Sequence, residues 1–394
     1  MLFLQSFLFV GVKIILPTEK CLIWFGVVMK KIIGYLKEIN RQRNYKTKEL
    51  KRRLTLLSLS RQLHDKRQEK IDVSSVKRIL FPFVDLGIGD AVCHTGTWRN
   101  LKDAGYQLQV IVEERNRDLF EKMTDIDEVY VVDINNISAM KDIETDLVIS
   151  HYSWMKRKEL FNIQILAKIH YKYAIGFGGW LDKPYNLMLP VSPEFHIVHP
   201  QKKILNALNV KPASLNYSLP LLPEHDDFIE NYLQPHAGKK IVVLNPFASV
   251  AERSLSQPQL EKLANGIVQC PDTQVFIIGE GKKLVDLAFD NEKITICRFK
   301  SLWDAITLIK KADLVVSVDT AIVHIACAFD KKLIAIYFSM LLDHNKNFEG
   351  NTIFAPIGKN SEQLIFDKRQ NKINIDDISS KVLSKLAYDK PAKQ

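Results

Sequence analysis

The sequence predicts an α/β protein with one parallel sheet in each half of its 394 residues. Three observations carry this. Short apolar strands alternate with helical stretches from residue 79 onward. The alternation breaks in a proline-rich stretch and restarts at residue 240. Small clusters of Gly, Ser, Thr and Asp stand directly after strands, where open parallel sheets bind their ligands.

In the first half the strand candidates are ILFPFV (79–84), QVIVEE (109–114), VYVVD (129–133), DLVISH (146–151) and YAIGF (173–177). A helix from Ala91 to Ala104 follows the first of them. Residues 183–223 hold seven prolines and read as irregular. The second half offers KIVVLNPF (240–247), TQVFIIG (273–279), ITIC (294–297), DLVVSVD (313–319) and LIAIYF (333–338), with a closing helix over 375–386. The expected organisation is an N-terminal extension (1–72), a first Rossmann-like domain (73–225) and a second (226–394), with the boundary near 222–238. Facing strand ends would create a cleft between the halves.

Composition is that of an ordinary globular chain, 46% hydrophobic and 25% charged. The net charge of +10 is local: residues 30–70 carry fourteen Lys/Arg against four Asp/Glu, while residues 71–394 carry 39 against 40. Apolar residues in that segment recur at helical spacing (Ile32, Ile33, Leu36, Ile39; Leu50, Leu54, Leu57), so a basic amphipathic helix is expected over 30–70. Such a helix suits an anionic membrane surface; the other reading is a solvated helix packing one stripe on the body. The apolar leader before it is interrupted by Lys13, Pro17, Glu19 and Lys20 and is too short to span a bilayer. Met29-Lys30-Lys31 reads as an alternative beginning. Five scattered cysteines without a CxxC pair argue against a disulfide framework or a structural zinc site and fit a reducing cytoplasm.

Four motifs stand after strands. Gly87-Ile88-Gly89-Asp90 precedes a helix; its glycines permit close backbone approach and Asp90 is either a carboxylate facing the cleft or a helix cap. Asn245-Pro246-Phe247-Ala248-Ser249, with Arg253 beyond it, offers a hydroxyl and a permanent cation suited to a pyrophosphate, or is an ordinary surface turn. In VSVDTAIVHIACA (316–328), Asp319 and Thr320 end a strand and Thr320-Ala321 opens a helix, a place for phosphate. His324 follows one turn later on the Thr320 face, as a donor or as a core histidine. Glu280 after the 273–279 strand is placed to accept from ribose hydroxyls or to pair at the surface.

The order of these motifs resembles glycosyltransferase family 9, the ADP-heptose:lipopolysaccharide heptosyltransferases, over Lys77 to Ile357. The stretch 301–338 is the strongest match, and 111–133 resembles the family's second and third strands. The resemblance implies the two-domain GT-B architecture and transfer that inverts the anomeric centre without a bound metal or other cofactor. It implies Asp90 as catalytic base in a loop with Gly87 and Gly89. It implies donor contacts from Ser249, Arg253, Glu280, Asp319, Thr320, Ala321 and His324. The chain departs from the family at Phe247 and Ala321, where Gly is usual, and at Leu255-Ser256, which replaces Trp-Pro. Glu280 also lies closer to its strand than the usual ribose-contacting Glu.

The expected donor is ADP-heptose and the expected acceptor a lipid-anchored, phosphorylated lipopolysaccharide core. The expected location is cytoplasmic, peripheral to the inner membrane through residues 30–70. Rival readings are a family relative using a UDP-hexosamine or hexose donor, and a nucleotide-sugar epimerase of similar fold. A nucleic-acid binder is disfavoured, because the body is neutral and carries no recognition module.

Overall fold

The computed structural model describes residues 18–134, 136–140, 142–151, 156–178, 181–192, 196–338, 350–366 and 373–387; the apolar leader over residues 1–17 lies outside them. The chain forms two units, Met1–Ser58 and Leu59–Gln394.

The first unit is the helix α1 (Thr18–Ser60), whose last two residues enter the second. Ile32, Leu36, Ile39, Leu50, Leu54 and Leu57 are all exposed. At 3.6 residues per turn they share one stripe, with Lys37, Arg41, Lys48 and Arg52 on the opposite side. Among the described residues no helix is long and apolar enough to cross a membrane. The helix expected over 30–70 stops at Ser60, because tertiary contacts take over. Arg67 donates N–H to Asp65, Lys66 N–H bonds the Lys183 carbonyl at 2.9 Å, and Leu63 is buried.

The second unit opens with β1 (Arg78–Phe83), α2 (Ile88–Asp103), β2 (Gln107–Val112), α3 (Arg117–Glu121), β3 (Glu128–Val131) and β4 (Glu144–Ile149). It continues through α4 (Lys156–Leu166), β5 (His170–Phe177), β6 (Leu187–Leu189), α5 (Val198–Ala207) and α6 (Pro223–Leu233). Then come β7 (Lys240–Asn245), α7 (Gln257–Ile267), β8 (Thr273–Ile277), α8 (Gly281–Leu284), β9 (Ile294–Ile296) and α9 (Leu302–Lys311). The chain closes with β10 (Leu314–Val318), α10 (Ala321–Ala328), β11 (Leu333–Phe338), α11 (Gly350–Ile353), β12 (Ser361–Phe366) and α12 (Ile375–Ala387). The stretch read as irregular over 183–223 therefore holds β6 and α5. Pro190 falls just past the strand, and Pro200 sits in the first turn of the helix, where its missing N–H costs no intrahelical bond.

Two six-stranded sheets result, ordered β3-β2-β1-β4-β5-β6 and β12-β11-β10-β7-β8-β9, and every pairing is parallel. Counted from its own first strand, each has the doubly wound order 3-2-1-4-5-6. Each therefore has one switch point, between β1 and β4 and between β7 and β10, where the chain reverses direction across the sheet and a ligand crevice opens. The central strands are buried on both faces, which is why they read as continuous apolar runs. Pro82 in β1 has no N–H to donate, and the paired register with β4 ends at Leu80 while that with β2 continues to Phe83.

One apolar core runs from β1 and α2 through Ile197, Leu205 and Tyr217 to α9 and α10. A second lies on the other face of the second sheet under α7 and α12.

Candidate active site

The loop from β1 to α2 carries the first motif. Gly87 caps α2, and Asp90 reaches back so that its Oδ2 accepts the Gly87 N–H at 2.9 Å. Asp90 thus caps its own helix, with a second carboxylate oxygen beyond that bond. The loop is braced from the end of β2. Glu113 accepts from the Asp85 N–H at 2.8 Å, and Arg115 and Asn116 both donate to the Leu86 carbonyl. Asp85 holds a left-handed backbone at φ 60°, a conformation that this bracing sustains. Behind it the His94 ring meets the Asp90 carbonyl at 2.8 Å and lies beside His151 at the end of β4.

The second switch point gathers the other motifs. Asn245, the last residue of β7, donates from Nδ2 to Ser317 Oγ (2.9 Å) and Thr320 Oγ1 (2.8 Å), tying β7 to β10. Thr320 caps α10, its hydroxyl accepting the Ile322 N–H. Arg253 donates to Asp319 at 3.0 Å and to Ser249 Oγ at 2.8 Å. Burial raises the Asp319 carboxyl above its ordinary range, and the Arg253 guanidinium works against that rise. Ser249, Arg253, Asp319 and Thr320 are therefore brought together around the N-terminus of α10, whose first N–H groups carry partial positive charge.

The two switch points meet. A Cβ placed on Gly89 would lie 3.2 Å from His324 Cδ2 and 3.3 Å from Ala321 Cα, so α2 and α10 touch at their first turns. Only a glycine permits that approach without a shift. His324 is fully enclosed, ringed edge-on by Tyr217 and Phe354. Its Nδ1 is buried with no hydrogen-bond partner among the described residues. Burial lowers its pKa from 6.5 to about 4, with Asp90 pulling the other way and His196 adding to the fall, so the ring is neutral. His196 stands by, bonded to the Ala355 carbonyl at 2.8 Å.

Glu280 stands apart from this group. It is exposed at the start of α8 and pairs with Lys282 at 2.8 Å. Its neighbour Lys283 instead donates from Nζ to the carbonyl of Ala248, inside the Asn245–Ser249 motif. The bracing residues Glu113, Arg115 and Asn116, the histidines 94, 151 and 196, and Lys283 carry no local sequence signal; only the fold brings them beside these motifs. Cys93, Cys297 and Cys327 are buried free thiols. Among the described residues no three His, Cys, Asp or Glu side chains gather in a way that could hold a metal ion.

Residues 188–379 match the sequence profile of Glycosyltransferase family 9 (heptosyltransferase). The chain is 21% identical over 305 residues to the Escherichia coli (strain K12) protein named Putative lipopolysaccharide heptosyltransferase 4, covering 75% of this chain and 83% of that one. Among solved structures it is similar to the family 9 glycosyl transferase of Veillonella parvula DSM 2008, with TM-score 0.64, 16% identity, and 81% and 98% of the two chains covered. It is also similar to the E. coli ADP-heptose lps heptosyltransferase II, with TM-score 0.59, 14% identity, and 79% and 98% covered. At these identities the structural likeness shows the fold, which is the GT-B arrangement.

Proposed function

We propose, from the premise that the chain is a glycosyltransferase of family 9, that it moves heptose from ADP-heptose onto a lipid-anchored, phosphorylated lipopolysaccharide core, inverting the anomeric centre. The observation that supports this reading is the contact of the two switch points at Gly89 and Ala321, which brings the turn that carries Asp90 in one half to the first turn of α10 in the other. The donor diphosphate lies at that N-terminus, with Ser249, Arg253 and Thr320 around it. The acceptor lies against the β1–α2 loop. Asp90 takes the proton from the acceptor hydroxyl as that oxygen attacks the anomeric carbon opposite the leaving diphosphate. Negative charge grows on the diphosphate, and Arg253 and the helix dipole stabilise it.

ADP-heptose is the donor after which the E. coli heptosyltransferase II is named. The basic, apolar-striped α1 supports attachment at an anionic inner-membrane surface on the cytoplasmic side. The test is a thermal-shift panel with ADP, UDP, GDP and CDP, each with and without magnesium, followed by transfer assays with ADP-heptose. A selective rise with ADP and transfer of heptose support the reading. A selective rise with another nucleotide redirects the donor. No rise with any of them removes the donor site.

A further inference from the structure

The residues that lead into α5 reach across to the second half. The Ile197 N–H donates to the Ile353 carbonyl at 2.9 Å, and His196 Nε2 meets the Ala355 carbonyl at 2.8 Å. A carbonyl can only accept, so Nε2 carries the ring proton. Nδ1 is then the acceptor, and it takes the Val198 N–H at 3.2 Å. Burial lowers the His196 pKa, against the pull of the Ala355 carbonyl, which keeps the ring in this uncharged form at neutral pH. Each ring nitrogen thus has one task. Nδ1 shapes the local turn, and Nε2 joins that turn to the other half.

These bonds close a circuit around the proposed site. Buried Gln201 of α5 donates to the Cys93 carbonyl of α2 at 2.6 Å and accepts from the Thr97 hydroxyl at 3.1 Å, so α5 is tied to α2. Ala355 follows Phe354, whose carbonyl accepts from the Tyr337 hydroxyl of β11 at 2.6 Å. The Phe354 ring stands edge-on to His324 of α10, with centroids 6.3 Å apart. His324 in turn faces Gly89 at the first turn of α2. We infer that His196 is a positioning residue: through Nε2 it latches the end of α11 to the start of α5, and so holds the first turns of α2 and α10 together. It acts through these segments and not on substrate. Its consequence for catalysis rests on the reading proposed above, whereas the latch itself is measurable without any substrate.

The experiment compares the intact protein with His196→Asn and His196→Gln by amide hydrogen exchange, melting midpoint and transfer kinetics. The Asn side-chain oxygen stands in for Nδ1 and keeps the Val198 bond, but Asn is too short to reach Ala355. The Gln amide nitrogen stands in for Nε2 and keeps the bond between the halves. Loss of that one bond predicts that His196→Asn exchanges about fivefold faster over 350–355 and 321–328. Turnover at saturating substrates falls about several-fold, while ADP binding stays within about twofold. His196→Gln matches the intact protein in all three. If Asn matches the intact protein and Gln does not, the ring serves only its own turn and the latch is overturned. Faster exchange confined to 196–207, or spread evenly over the chain with a lower melting midpoint, overturns it as well. Expected exchange with unchanged turnover removes the catalytic consequence. Expected exchange in a protein that transfers no sugar leaves the latch standing and removes the proposed function.

Discussion

Replacing Gly89 by alanine probes the contact on which the proposed chemistry rests. The new Cβ would meet Ala321 Cα at 3.3 Å and His324 Cδ2 at 3.2 Å. Carbon pairs are at ease near about 3.5–4.0 Å, so α10 must retreat by a few tenths of an ångström. One of the atoms met is backbone, which cannot rotate away. Overpacking of this kind costs about 1–3 kcal/mol. Alanine also favours helix over glycine by up to about 1 kcal/mol, less at the first turn of α2. The net expectation is a loss of about 0–2 kcal/mol, visible as a small fall in the urea midpoint. Activity should fall as well. The shift moves the turn that carries Asp90 away from α10 by those few tenths of an ångström; a misplacement of 1 Å can cost about 100-fold in rate, so a loss of about several-fold is expected. Transfer assayed at saturating donor and acceptor, beside the urea curve, separates the two effects. A Gly89→Ala protein with full turnover would refute the reasoning, because the approach of the two helices would then be irrelevant to the reaction.

Asp90→Ala should lower transfer by about 100-fold or more while nucleotide binding by calorimetry stays within a few-fold; loss of binding would contradict its role as base. His324 is neutral in both folded and unfolded chains above pH 6.5. Between 6.5 and about 4 the unfolded chain takes up a proton that the folded one refuses. Its contribution is therefore intact above pH 6.5 and falls as the pH drops, by about 3 kcal/mol at pH 4. His324→Phe should flatten that part of the stability profile, and an unchanged slope would mean that the ring titrates normally. Removing residues 1–58 takes away twelve Lys/Arg and three Asp/Glu. Sedimentation should show loss of salt-sensitive binding to anionic vesicles, while turnover on a soluble acceptor persists. Equal loss of both would make the extension part of the catalytic body.

The central strands were legible because parallel strands buried on both faces are continuous apolar runs, as in β7 and β10. β6 was hidden because it is three residues long and ends against Pro190. β12 (Ser361–Phe366) was hidden because it is a half-exposed edge strand without a buried run. α5 and α6 were masked by Pro200 and Pro223, which look like breakers yet occupy first turns. At the site, the motifs that follow strands could be read directly, since the residues of each are neighbours in sequence. The brace from Glu113 to Asp85 and the approach of Gly89 to Ala321 join residues far apart in the chain, and no local pattern encodes them. Pairing Arg253 with Asp319 likewise needs β7 beside β10, which only the sheet order supplies.

The apolar core that passes from β1 and α2 through Ile197 and Tyr217 into α9 and α10 has a consequence for how such enzymes diversify. Two halves of like topology invite recombination between different parents. Here the seam is not a wet hinge but shared interior. Trp303 of α9 is buried and donates its indole N–H to the Asp118 carbonyl of α3. A transplanted half would arrive with the wrong shape for its partner, leaving voids or clashes along that seam. New specificities in this lineage are therefore expected to come from changes in the loops beyond the strand ends, with the two interiors inherited together.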